Sequence, residues 1–367
     1  MRRLTVVQLV PALASGGVER SVLEIGDALV RSGHRSIVIS AGGRLVEELQ
    51  SAGSEHVTVD IGRKSPTTLR HVFSLRAQFA RLQPDIVHAR SRLPAWLAVL
   101  ALKQGSGKLP HLVTSVHGLN SPGFYSGILA RGERVICVSA TVRAHVLKHW
   151  PDADPGRLVV IEPGIDPAVF CRETKALERS PASPGWVRRG PGEKILLMPG
   201  RGTRLKGHAT AIALLAKVRA TGIDARLCLL GALESGRGAY AAELRQLAVT
   251  LGVSEFAQIS PASNDIVDAY RHCDLVLQLS SRPEAFGRTV LEALAVGKPV
   301  VGWSHGGVGE LLSRYFPQGQ VEPGDQHALL ATTLRLLSEA GPAPPVIVQT
   351  LAAMQAQTLK VYESVAG

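Results

Sequence analysis

The densest chemistry in the chain lies in Ser280-Ser281-Arg282-Pro283-Glu284-Ala285-Phe286-Gly287-Arg288-Thr289-Val290-Leu291-Glu292-Ala293, between an aliphatic run at 275–279 and a helical stretch at 289–296. A strand end facing a helix N-terminus presents free backbone N–H groups and the positive end of the helix dipole, which suits phosphate. Gly287 removes the Cβ that would hold an anion at a distance. Glu284 precedes the helix and Glu292 lies more than a turn inside it, so both can reach one elongated ligand at different points. Ionised carboxylates only accept hydrogen bonds, which makes sugar hydroxyls fitting partners. Taken alone, two isolated glutamates favour the plainer account, Glu284 as a dipole-favoured cap and Glu292 as a solvated helix residue.

Four further places carry candidate groups. Arg201 and Lys206 lie in the run 199–208, just after an aliphatic stretch. Two cations converging on adjacent phosphates favour a bound diphosphate and a diphosphate leaving group, and a basic surface loop is the alternative. Gly16-Gly17-Val18-Glu19-Arg20 opens a helix after the first apolar run without the full GxGxxG of a dinucleotide site, so NAD binding is a weak expectation. His117 ends the run 112–116, where a doubly wound sheet turns such a residue towards its crevice, although an ordinary polar loop residue would look the same. Arg90 and Arg92 stand at another strand end, suited to an anionic acceptor. Asp152-Ala153-Asp154 has the form of a DxD metal signature, but it follows a helix end and precedes Pro155. A metal-binding pair should close an apolar strand, so no metal or other cofactor is expected, and diphosphate charge falls to Arg201, Lys206 and helix dipoles.

Positioning these groups requires a particular scaffold. Apolar runs at 4–10, 36–40, 57–61, 86–89, 112–116 and 135–138 alternate with helical stretches, and a second set follows at 195–198, 226–230, 257–260, 275–279 and 299–302. Such alternation implies parallel sheets covered by helices. Pro181, Pro184 and Pro191 break the pattern between the sets. The expected organisation is α/β, with two Rossmann-like doubly wound domains facing across a cleft: 1–170, a linker 171–193, a donor-binding domain 194–344, and a terminal helix in 345–367 that packs back on the first domain.

Composition narrows the classes. The chain has 367 residues and 41 Lys plus Arg against 30 Asp plus Glu, a formal charge of +11 that attracts anions. No apolar run approaches the roughly 18 residues of a spanning helix. Gln8 and Pro11 interrupt the first apolar stretch, which argues against a secretory signal. Four scattered cysteines imply neither a disulfide framework nor a zinc site, and a cytoplasmic location is expected. Only 16 aromatic residues are spread along the chain, too few for the stacking platforms of a nucleic-acid binder.

Glu284-Ala-Phe-Gly followed by Glu292-Ala, then Gly297-Lys298-Pro299-Val300-Val301 and Gly306-Gly307, resembles the donor site of family 4 glycosyltransferases of the GT-B fold. The resemblance implies a retaining enzyme that moves a sugar from a nucleotide diphosphate donor, a UDP-sugar above all, to a glycan or glycolipid. It assigns Glu284 to the transferred sugar, Glu292 to the ribose, and the amides of Ala285, Phe286 and Gly287 to sugar and diphosphate. The same resemblance makes Arg201 and Lys206 the diphosphate clamp, sets Gly16, Gly17 and Glu19 over the donor, and gives His117 an orienting hydrogen bond near the sugar. Ser260, Pro261, Asn264, Asp265 and Ile266 are candidates for the nucleobase, with Gly231–Leu233 as a second choice. Arg143 and the turn 162–166 also match the family. The N-terminal wording is similar to transferases of lipopolysaccharide core and envelope polysaccharide assembly, and the basic first domain with its His- and Arg-rich strand ends suits an enzyme resting on the anionic inner leaflet of a bacterial membrane. A nucleotide-sugar epimerase or hydrolase of the same fold, and a non-catalytic receptor for sugar or nucleotide, are the rivals.

Overall fold

The structure is a computed structural model, and it describes residues 2–14, 16–103, 109–171, 192–233, 238–263, 265–338 and 347–367. Two compact units divide the chain: Met1–Gly164 with Gln349–Gly367, and Ile165–Val348.

In the first unit the strands are β1 (Thr5–Leu9), β2 (Arg35–Ser40), β3 (Glu55–Thr58), β4 (Ile86–Ala89), β5 (His111–Val116), β6 (Arg134–Cys137) and β7 (Leu158–Val160). They form one parallel sheet in the order β3-β2-β1-β4-β5-β6-β7. Its helices are α1 (Gly17–Arg31), α2 (Val46–Ser51), α3 (His71–Leu82), α4 (Arg92–Leu102), α5 (Phe124–Gly127) and α6 (Ala140–His149). The central strands are aliphatic because helices cover both faces. Val7, Leu9, Ile37 and Ile39 pack under α3 and α4, while Leu4, Val6, Ile86 and Val113 pack on the other side.

The second unit contains β8 (Lys194–Pro199), β9 (Ala225–Leu230), β10 (Ala257–Ser260), β11 (Leu275–Gln278), β12 (Val300–Trp303) and β13 (Gln320–Val321), in the order β10-β9-β8-β11-β12-β13. Its helices are α7 (His208–Ala220), α8 (Gly238–Thr250), α9 (Ile266–His272), α10 (Arg288–Ala295), α11 (Gly306–Tyr315) and α12 (Gln326–Ser338). The last helix, α13 (Leu351–Ala366), returns to the first unit and packs on α1.

Each sheet reverses its strand order once, between β1 and β4 and between β8 and β11. Ligands of such sheets bind beyond the carboxyl ends of the strands at that reversal. The loops that leave those four strands carry Gly16–Gly17, Arg90–Arg92, Arg201–Lys206 and Ser280–Gly287.

Several expectations shift. The third strand runs 55–58 and not 57–61, because it pairs β2 from Ile37 to Ser40, and Ile61 is buried in the loop beyond it. β7 and β13 were not expected as strands; with three and two residues they are too short to show a period. The first unit ends at Gly164, six residues before the expected boundary, since Val169 and Phe170 belong to the turn that opens at Asp166. The tail helix starts at Leu351 behind its Thr350 cap. Residues 172–191, most of the expected linker, lie outside the described residues.

Candidate active site

In the second unit three neighbouring strands, β8, β11 and β12, send their loops to one place. The short turn Arg204–Lys206 and Ser281 are locked together, Ser281 N donating to Leu205 O at 2.8 Å. Gly307, at the start of α11, donates its N–H to Glu284 O at 2.8 Å. A Cβ on Gly307 would lie 2.3 Å from the Phe286 backbone, so only glycine allows the loops after β11 and β12 to approach this closely. His305 Nε2 donates to Ser280 O at 3.0 Å.

Those backbone contacts set the side chains. Lys206 Nζ donates to Glu284 Oε1 at 2.7 Å, with both side chains about one quarter exposed. Ser280 Oγ donates to the same carboxylate oxygen. Phe286 is buried, and Gly287 starts α10 in the left-handed region at φ 107°. Glu292, one turn along α10, accepts from Tyr270 Oη at 2.9 Å and from Arg288 Nε at 3.0 Å. Glu284 is thus an ion-pair partner and not the helix cap, and Glu292 is bonded on a partly buried face and is not a solvated helix residue. Arg201 is exposed on the same loop as Lys206.

The two stretches considered for the nucleobase are one structure. Gly231 N and Leu233 N donate to Ser260 O at 3.0 and 3.1 Å, and Gly231 N also reaches Pro261 O. The Ser260 carbonyl therefore already accepts two amides. Ile266 opens α9 next to the Asp265 cap, and Asn264 lies outside the described residues.

In the first unit Gly16 takes φ 141°, and a Cβ there would meet Glu19 Oε2 at 2.6 Å. Glu19 therefore folds back over the loop, while Gly17 is exposed with open space around it. His117 lies one residue beyond β5 and lines a cavity of about 40 Å³ with Gly17, Ser21, His88, Arg90 and Ser115. Its Nε2 is sealed from solvent without a hydrogen-bond partner. Burial, with the Arg90 charge adding to it, pushes the His117 pKa down to about 3, so the ring is neutral at physiological pH.

Arg90 and Arg92 separate. Arg92 begins α4 and lies over the Tyr125 ring, but Arg90 is only 4% exposed and donates to Gln8 Oε1 and to Ser21 Oγ at 3.1 Å. The expectation of two acceptor-facing arginines is corrected at Arg90: strand parity aims it inward with His88, and Glu24 supplies a compensating charge. His88 is itself bonded on both nitrogens, to Tyr362 Oη at 2.6 Å and Ser115 Oγ at 2.7 Å. Asp154 of the DxD run caps a short turn, accepting from Gly156 N at 2.8 Å. Among the described residues no three His, Cys, Asp or Glu converge on a metal-sized point.

Sequence reasoning missed Gln8, His88, Ser115, Tyr270, Ser280, His305 and Tyr362 as parts of these networks. Gln8 and His88 had a legible signal, a polar residue inside an apolar strand. Tyr270 and Tyr362 had none, since an aromatic on a helix reads as core.

Buried neutral histidines have a measurable consequence. His88 is held well below its usual value by burial and then by Arg90 and His117, and His208, buried beside Lys206, is pushed down to about 4. Below pH ~6.5 the unfolded chain takes up protons that the folded one refuses. Stability should therefore decline as pH falls from 6.5 towards 4, by up to about 1.4 kcal/mol per pH unit for each histidine. Denaturation midpoints that stay equal at pH 7 and pH 5 would contradict this.

Comparison with known proteins identifies the family and the fold. Residues 15–169 match the family described as Glycosyltransferase Family 4, and residues 187–346 match Glycosyl transferases group 1. A protein from Segniliparus rotundus named D-inositol 3-phosphate glycosyltransferase is 30% identical over 49% of this chain and 39% of its own length. One of the same name from Mycobacterium sp. (strain KMS) is 29% identical over 71% of this chain and 60% of its own. The chain thus spans less than two thirds of the length of these relatives. Among solved structures, a glycosyltransferase from Rickettsia africae covers 100% of this chain and 99% of its own at 26% identity and a TM-score of 0.80. Anabaena HepE in complex with UDP and glucose covers 99% and 100% at 20% identity and a TM-score of 0.76, a likeness of fold.

Proposed function

Because this chain belongs to the glycosyltransferases, family 4 in its first unit and group 1 in its second, with the GT-B fold, we propose that it moves a sugar from a nucleoside diphosphate, UDP first, to a hydroxyl of a glycan or glycolipid with retention of configuration. The observation that carries this is the Lys206–Glu284 bond where three strand-end loops meet. It puts a cation for the departing phosphate beside an acceptor for sugar hydroxyls.

In this mechanism Lys206, Arg201 and the amides opening α10 offset the charge that grows on the diphosphate as it leaves. They take the place of a metal, and no cofactor is assigned. Glu284 orients the sugar. The acceptor oxygen bonds the anomeric carbon on the face from which the phosphate oxygen departs, and that oxygen takes the acceptor proton. His117 of the first unit, being neutral, is assigned a ligand-orienting hydrogen bond and no proton transfer.

The acceptor is assigned to an anionic membrane surface facing the cytoplasm, with lipopolysaccharide core as the leading case. Support comes from the +11 charge and from one cationic–aromatic patch. Phe124 is 74% exposed under the Arg131 guanidinium, and Tyr125 lies 5.4 Å from that of Arg92. Arginines near such a surface contribute ~1 kcal/mol each. The protein should sediment with phosphatidylglycerol vesicles at low salt and release at high salt; negligible sedimentation at low salt removes the membrane assignment.

For the reaction itself, a nucleotide-sugar panel screened by thermal shift, followed by assay of nucleotide release, is decisive. Release should require acceptor and fall by about 100-fold or more in Glu284→Ala, the range for loss of a group that stabilises the transition state. Release at full rate without acceptor would support a hydrolase or epimerase, and intact transfer in the variant would remove Glu284 from the site.

A further inference from the structure

Glu292 is gripped from two elements. Tyr270 Oη, from α9, donates to Oε2 at 2.9 Å, and Arg288 Nε, one turn back on α10, donates to Oε1 at 3.0 Å. The Tyr270 side chain is fully buried, and Thr289 hydrogen-bonds the same phenol. Packing alone does not call for that hydroxyl: phenylalanine would fill the volume without a polar atom to satisfy. A glutamate on a helix otherwise samples several rotamers, and ordering it on ligand binding costs free energy. Donors reaching different oxygens from different helices fix the plane of the carboxylate beforehand. A carboxylate held in one plane can accept from two adjacent hydroxyls at once, which a rotating one does only after losing that freedom. Burial and the Glu292 charge keep the phenol protonated across the working pH range, so it acts as a permanent donor.

We propose that Tyr270 is a positioning residue for nucleotide recognition: through Glu292 it sets the preference for a ribose carrying both ring hydroxyls. The proposal rests on the assignment of Glu292 to the ribose, and Arg288 is the second jaw of the same grip.

The test is calorimetric binding of UDP and GDP and of their 2′,3′-dideoxy counterparts to the full-length protein, read on whichever base binds. The wild type should prefer the ribonucleotide. Tyr270→Phe should weaken ribonucleotide binding roughly tenfold, the size expected for one hydrogen bond to a charged group, and leave dideoxynucleotide binding unchanged. Equal weakening of both ligands would mark a merely structural role and overturn the proposal, as would an undiminished ribose preference. Glu292→Ala separates the two layers. If it abolishes the preference while Tyr270→Phe does not, only the role of Tyr270 is lost; if it leaves the preference intact, the ribose assignment falls and the proposal with it.

Discussion

Lys206→Met is expected to lower the rate of sugar transfer by about 100- to 1000-fold, the range seen when one preorganised charge-stabilising group is removed from an active site. Lys206 Nζ lies 2.7 Å from Glu284 Oε1, and both are drawn partly out of water by the loops after β8, β11 and β12. The cation has two tasks there. It pairs with Glu284, and in the proposed mechanism it also compensates the diphosphate, whose charge grows as the sugar leaves, so its effect would be largest in the transition state. Methionine keeps the length of the side chain and removes the charge. The nucleoside alone should bind the variant as it binds the wild type, while the nucleoside diphosphate binds more weakly. Combined with Glu284→Gln, the loss should be less than the sum of the two single losses, because neighbours that share an interaction are not independent. A transfer rate within twofold of wild type would remove Lys206 from the chemistry.

Tyr362→Ala should destabilise the first unit by about 3 to 5 kcal/mol, the usual cost of emptying a large aromatic site. The ring comes from α13 and is 1% exposed among Leu4, Val6, Ile25, Ile86 and Val113, and its hydroxyl bonds His88 Nδ1 at 2.6 Å. Alanine opens a cavity and also strands a buried imidazole nitrogen. Tyr362→Phe removes only the second effect and should cost about 1 to 2 kcal/mol. Deleting 349–367 takes Met354 and Val361 as well, and it should leave the first unit open to protease while the second still binds nucleotide. Denaturant unfolding and limited proteolysis read both results. A Tyr362→Ala change below 1 kcal/mol would show that α13 is dispensable to this core.

Much of the candidate site in the second unit was legible in the sequence, because its residues are close together along the chain. Glu284, Phe286, Gly287 and Glu292 fall within one strand–turn–helix step, and Arg201 and Lys206 within another, so spacing alone set their order around the ends of β11 and β8. The alternation of apolar runs with helical stretches likewise determined two parallel sheets, since strands covered on both faces must be aliphatic. Partnership across long stretches of chain was left to the tertiary structure. Lys206 meets Glu284 from 78 residues away, Tyr270 meets Glu292 from 22, and His88 meets Tyr362 from 274. No spacing encodes those pairs, because they depend on which strands become neighbours in the sheet and on the return of the last helix. The direction of Arg90 was decided the same way. Its sequence context matches that of Arg92, yet strand parity buries one against Gln8 and leaves the other at a helix start, a difference that exists only once the chain is folded.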